Sequence, residues 1–422
     1  MKPSEKGWLK RYLDFRKDIL AGLTSEKAKS SHPEHSLYRL IQPTGLMYGH
    51  AVDVLERPEL EKLEEKDKMK LLLAESLISS SLLFRDKPVK GPEELSGLMA
   101  KTLDSIANFY NNVFPELATP TKSFFGRKKS PLELAEKILD KRIEKTTEYS
   151  GNFWMQFFHN SLLFLDIFIF GQWIHTNADR IVSDFFKYER EELRFSVVKI
   201  IAAAAHSNHK IEYEERKLLE YFIQSAGLTP DKKKEAVELF EGGIVVEALN
   251  LPTNNSWLLK KYFLEMAILT LWADKKIEDQ ESEFLQLLCQ YLDFKEDDLE
   301  NSMIAIEGFV LEHWEQLGYL QNKQDYNEVS ERFVKRLAKL TESNKTRIVE
   351  EVKESKALMN LLRKAKAGEL TEEEKQTVQE LMVSVLKTIP TFVIIALPQR
   401  YLTLPVLLKI LPANIFSETL GD

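Results

Sequence analysis

Apolar positions recur every three or four residues through nearly the whole chain, while strand-like alternation is confined to short runs. In MKPSEKGWLKRYLDFRKDIL, Trp8, Leu9, Tyr12, Leu13, Ile19 and Leu20 share one helical face, and Lys10, Arg11, Arg16 and Lys17 lie elsewhere. Such a helix can lie on a membrane surface, but docking onto the protein's own core is the expected use. Helix starts are marked by Ser130-Pro131 with Glu133 and by Thr229-Pro230. Thr371 with Glu374 forms a capping-box pattern, in which each side chain takes an orphan N–H of the other residue. The pattern predicts an all-α protein.

Two stretches are apolar enough to raise the question of a membrane. GNFWMQFFHNSLLFLDIFIFGQWIH (151–175) is interrupted by Asn152, Gln156, His159, Asn160, Asp166 and Gln172. A carboxylate inside hydrocarbon is costly, so this stretch is expected to be the core helix of a large bundle with one polar edge. The second stretch is IPTFVIIALPQRYLTLPVLLKILPANIF, in which Pro390, Pro398, Pro405 and Pro412 recur about every two turns and Arg400 sits near the middle. Residues 389–411 have the length of one spanning helix of about 20 residues. Each internal proline, however, removes a hydrogen bond and collides with the preceding turn. Two short helices hinged at Pro398-Gln399-Arg400 fit equally well, packed on the protein's own helices or inserted partway into a bilayer.

An internal repeat lies between these stretches. AAHSNHKIEYEERKLLEYFIQSAGL (204–228) matches TLWADKKIEDQESEFLQLLCQYLDF (270–294), with Lys210, Ile211, Glu212 and Glu215 falling on Lys276, Ile277, Glu278 and Glu281. Each copy reads as helix, short polar loop, helix. The isoleucine plugs the loop into the core, and the later glutamate sits in the first turn of the second helix, where the dipole favours it. The domain organisation expected is an N-terminal helical domain (1–190), the tandem repeats (191–310), a helical connector (311–357) and the proline-marked C-terminal segment (358–422).

Composition narrows the function classes. The 422 residues are 44% hydrophobic and carry a formal charge of −8, which argues against a surface built to grip sequence-specific nucleic acid. The single cysteine, Cys289, cannot form an internal disulfide and lies in the apolar run LLCQYL, so a buried, inert thiol in a reducing compartment is expected. His32, His35, His50 and His159 show no ligand spacing. No Gly-rich phosphate loop, Gly-x-Ser-x-Gly elbow or His-Glu-x-x-His helix is present, so no enzymatic activity is expected.

The repeat resembles the tellurite-resistance B-type (TerB-like) helical domain, whose loop reads Asp-Gly-x-Ile with a glutamate four residues later. Its counterparts here are Asn208-His209-Lys210-Ile211 with Glu215, and Asp274-Lys275-Lys276-Ile277 with Glu281. The resemblance implies a divalent-cation site at Asp274, Glu278 and Glu281, with Asn208, Glu212 and Glu215 in the first copy; no other cofactor is expected. A hard cation takes six to eight oxygens, several of them anionic, and neither loop offers that alone. Read from the residues, a structural role for both loops is the expectation.

The C-terminal segment is similar to the core of the Letm-like family (leucine-zipper/EF-hand-containing transmembrane proteins of the mitochondrial inner membrane). The counterparts run over about sixty residues: Leu370-Thr371 with Glu374, Ile389-Pro390, Pro398, Leu404-Pro405, Lys409, Leu411-Pro412, Asn414 and Ile415-Phe416-Ser417-Glu418-Thr419-Leu420. That family's segment contains the membrane span and opens a ribosome-binding region, and its members are tied to cation/proton exchange and ribosome attachment. The resemblance therefore implies a non-enzymatic protein that associates with a membrane or ribosome and is linked to cation homeostasis. It nominates Pro390, Pro398, Arg400, Leu404, Pro405, Lys409 and Pro412 as membrane or partner contacts, in a protein of the cytoplasm or at the inner membrane. Two alternatives stay open: a soluble TerB-like stress module responsive to divalent cations, and a component of membrane cation/proton exchange. Protein partners are expected, and the oligomeric state is left open.

Overall fold

In the computed structural model the apolar periodicity is realised as helix throughout. The structure describes residues 2–412 apart from 25–31, 52–61, 86, 123–125, 145, 147–152, 177–179, 208–212, 273–278 and 318–324; the side chains of 153–156, 213–215, 218, 279 and 366 also lie outside it. Among the described residues there are 18 α-helices and no strands, with a single isolated bridge between Lys122 and Lys128. The chain divides into two compact units, Met1–Thr270 with Glu278–Phe284 and Leu271–Ile277 with Leu285–Asp422.

The first unit is assembled around α6 (Phe153–Trp173), preceded in the chain by α1 (Trp8–Gly22), α2 (Pro33–Ile41), α3 (Glu65–Leu83), α4 (Pro92–Val113) and α5 (Pro131–Glu144). It is followed by α7 (Arg180–Ala205), α8 (Tyr213–Ser225), α9 (Pro230–Gly242) and α10 (Trp257–Trp272). Helices α3, α4, α7 and α8 and the 3-10 turn Leu46–Tyr48 all pack against α6. Its residues from Phe157 to Gly171 are buried except for the half-buried His159. A helix that is apolar all round belongs in such a core. Gly49, with φ +72°, lets the 3-10 turn touch the α6 backbone, since a Cβ there would collide with the carbonyl of Phe157.

Of the polar positions expected along this helix, Asp166 and Asn160 are buried and each has a partner, His159 and Gln172 are half-buried, and Asn152 and the Gln156 side chain lie outside the described residues. Asp166 is fully buried, and its Oδ2 accepts from Arg142 Nε of α5 at 2.6 Å and from Tyr110 OH of α4 at 3.2 Å. Asn160 Nδ2 donates to the Gly49 carbonyl at 3.2 Å. The same device recurs elsewhere in this unit. Glu75 of α3 accepts from Arg16 Nε and a second guanidinium nitrogen at 2.8 and 2.6 Å, and also from Tyr12 OH, which fastens α1 to α3. Glu265 of α10 accepts from Tyr38 OH at 2.6 Å and Tyr48 OH at 2.9 Å. Glu136 of α5 takes the backbone N–H groups of Gly7 and Leu9, filling the anion-favouring start of α1.

The helix starts read from sequence carry the expected caps. Thr371 and Glu374 bond reciprocally at 3.2 and 3.1 Å, and so do Ser130 and Glu133 at 2.9 and 3.2 Å. Thr229 Oγ accepts from the Lys232 amide at 3.4 Å.

Truncating one partner of a buried pair strands the other charge without a solvent. Asp166→Ala is expected to cost about 3–5 kcal/mol in urea unfolding, while the double apolar replacement Arg142→Met/Asp166→Leu recovers most of that loss.

Candidate partner-contact site

The second unit carries the proline-marked segment. After α11 (Asp279–Tyr291) come α12 (Glu296–Glu312), α13 (Tyr326–Ser343), α14 (Lys345–Glu354), α15 (Lys356–Ala367) and α16 (Glu372–Leu386). The segment itself forms two short helices, α17 (Pro390–Ile394) and α18 (Leu404–Ile410), joined through a turn at Gln399–Tyr401. No helix among the described residues is long and apolar enough to cross a membrane. Pro390 and Pro405 stand in the first turn of their helices, where a missing N–H costs nothing and the fixed φ is already helical. The prolines therefore start two short helices rather than bend one long helix.

The apolar side of this hairpin is covered within the unit. Ile389, Phe392, Ile395, Leu402, Leu407 and Ile410 are each at most 2% exposed. Helix α18 packs on α13 and α16. Pro398 is buried over Gly308 of α12, where an added Cβ would come within 3.3 Å of both Pro398 and Phe333. The Tyr401 ring meets Phe333 edge to face with centroids 5.4 Å apart, and its hydroxyl pairs with Ser330 Oγ at 2.7 Å.

Interrupting a helix leaves backbone groups to satisfy, and neighbouring side chains supply them. The Glu312 carboxylate, at the end of α12, accepts from the Arg400 and Tyr401 amides, both at 3.0 Å. The buried Thr341 hydroxyl donates to the Ile410 carbonyl, and an Arg347 guanidinium nitrogen donates to the Thr388 carbonyl at 2.7 Å.

Of the seven nominated contact residues, Pro390, Arg400, Pro405 and Lys409 are exposed, Leu404 is half-buried, and Pro398 and Pro412 are buried. Two aliphatic side chains of the same segment also reach solvent, Val393 at 53% and Leu408 at 38% exposure. The hairpin thus divides into a packed side that holds it and an outer side that includes two cations, two prolines and two aliphatic groups.

On the same helix as Glu312 lies a second carboxyl that the sequence reading did not single out. Glu307 of α12 is 1% exposed, with Arg336 Nε at 3.3 Å and Arg332 Nε at 3.6 Å, and Arg336 continues to Glu300 at 2.5 Å. Burial pushes the Glu307 carboxyl up to about 7, against the pull of Arg336 and Arg332. Arg332 also lies over the Trp272 ring at 5.5 Å. Glu312 and Glu307 leave little mark in the sequence beyond the stripe Val329, Phe333, Leu337 of α13, whose spacing places an apolar face for α12 to meet.

The nominated cation ligands are not brought together among the described residues. Asn208, Glu212, Asp274 and Glu278 lie outside them, as does the Glu215 side chain, while Glu281 is buried in α11 at 3% exposure. Among the described residues no group of three or more His, Cys, Asp or Glu is arranged to hold a metal ion. Cys289 is buried as expected, its Sγ donating to the Lys295 carbonyl at 3.2 Å.

Two measurements address this arrangement. Glu312→Ala removes the acceptor of two backbone amides, so amide exchange at Arg400 and Tyr401 should accelerate at least about ten-fold, with helices α3 and α6 unaffected. For Glu307 the folded-state value lies above the ordinary 4.5. The folded chain therefore holds a proton that the unfolded chain releases, and stability present below about pH 4.5 is lost as the pH rises through about 7. Glu307→Gln should flatten that slope in thermal melts across this range. No family model, curated protein or solved structure matches the chain.

Proposed function

We propose that this chain is a non-enzymatic helical scaffold that attaches peripherally to a phosphate-rich surface, membrane headgroups or the ribosome, through its C-terminal hairpin. The observation that carries the reading is the clamped turn. Glu312 consumes the backbone donors of Arg400 and Tyr401 while the Arg400 side chain is exposed, along with Lys409, Val393 and Leu408. Cations beside small aliphatic groups on an ordered turn form a surface that adheres to headgroups or phosphates without insertion. The Letm-like resemblance of residues 358–422 points the same way, since members of that family meet both a membrane and a ribosome there. With helices of five and seven residues, the segment is read as lying on its partner rather than spanning a bilayer.

The cation-responsive alternative rests on the repeat loops and gains no support from a described cluster of ligands.

The test is a pair of separations at low salt: flotation with vesicles containing phosphatidylglycerol, and sedimentation with purified ribosomes. Attachment in one of them should be released by raised salt and weakened at least about ten-fold by Arg400→Glu/Lys409→Glu, each basic group contributing about 1 kcal/mol near an anionic surface. Full-length protein that neither floats nor sediments at low salt overturns the reading. So does attachment that survives both salt and the double substitution.

A further inference from the structure

A cleft of about 400 Å3 opens in the first unit between α2, α3, α6 and the loop leading into α10. This lies within the size range of small-molecule sites. Phe84, Ile167, Phe168 and Leu258 give it an apolar lining, and Gln172 and Asn254 stand among its polar groups. The first unit's ion-pair networks at Glu75, Asp166 and Glu265 contribute none of its lining.

One lining group is a buried hydroxyl. Ser80 has no exposure, and its Oγ carries no hydrogen bond to any described residue. Many helical serines return their hydroxyl to a carbonyl one turn back; this one does not. Gly171 of α6 faces it, and a Cβ at that position would come within 3.0 Å of the hydroxyl oxygen. A buried donor without a partner costs free energy that a polar ligand atom would recover.

The charges around the cleft decide which ligands fit. The Glu34 carboxylate already accepts from Ser256 Oγ at 2.7 Å and from the Leu258 amide at 3.1 Å, so the start of α10 is taken by a protein anion. Asn254 Nδ2 donates at 3.0 Å to Glu189, whose carboxyl also meets Gln172 and is raised by burial. Among the described residues no lysine or arginine lines the cleft, and His175 stands there exposed. An anionic head would meet carboxylates and, among the described residues, no lysine or arginine to pair with. A cationic head would find both Glu34 oxygens engaged.

We propose that this cleft binds a small uncharged amphiphile, its apolar body against Ile167, Phe168 and Leu258 and its hydroxyl or carbonyl head on Ser80 Oγ.

The test uses three probes with one body and three heads: 4-phenyl-1-butanol, 4-phenylbutyrate and 4-phenylbutylamine, titrated calorimetrically into the full chain. The alcohol should bind, with the carboxylate and the amine each at least ten-fold weaker. Ser80→Ala should weaken the alcohol about five-fold, the loss of one hydrogen bond, without lowering the melting temperature. Gln172→Trp, which places a large ring at the cleft, should abolish binding while the helical circular dichroism is retained. Absence of binding by the alcohol, equal binding of all three probes, or an alcohol affinity unchanged by both substitutions overturns the proposal.

Discussion

Asp166 sits mid-way along the most apolar helix of the first unit with no access to water, and the helices around it are arranged so that its charge has partners. Leaving a carboxylate alone in such surroundings would cost more than most single contacts return, so Arg142 of α5 and Tyr110 of α4 must both arrive at one point. Glu75 and Glu265 impose the same condition on α1 with α3 and on α2 with α10. Apolar residues of equal volume would fill these places. They would not dictate which helix meets which. Arg194 shows the limit of the device: burial and the neighbouring Arg190 push it down to about 9, while one guanidinium nitrogen donates to the Ala226 carbonyl.

The second unit solves a backbone problem. A proline-broken segment cannot satisfy its own N–H and C=O groups, and water is excluded from its packed side. Glu312, Thr341 and Arg347 take over that role from α12, α13 and α14. The Glu312 bonds fall on the backbone of the turn, and the Arg400 and Lys409 side chains are exposed. An apolar stretch that looks like a membrane segment in one dimension is thereby divided between a core and a presented surface.

That division bears on function through the size of what remains exposed. Among the described residues of the hairpin, Arg400, Lys409, Val393, Leu408, Pro390 and Pro405 are exposed, and on the attachment proposed above a surface of that kind is reversible and salt-sensitive. The Glu307 carboxyl, on the helix that carries Glu312, is raised by burial to about 7 and is held by Arg336 and Arg332 of α13.

Much of the local structure was legible in one dimension. Thr371 with Glu374, Ser130 with Glu133 and Thr229 mark helix starts because a cap is a contact between residues three apart. The break at Pro398 follows from the ring's own chemistry, and the all-α class follows from the spacing of apolar positions. What the linear pattern left undecided was partnership. Glu312 reaches an amide 88 residues away, Tyr38 reaches a carboxylate 227 away, and the Ser80 hydroxyl is left over in a cleft that only folding creates. Local rules read a residue against its neighbours along the chain; burial, paired charge and cavities depend on neighbours in space, and those the tertiary structure alone decided.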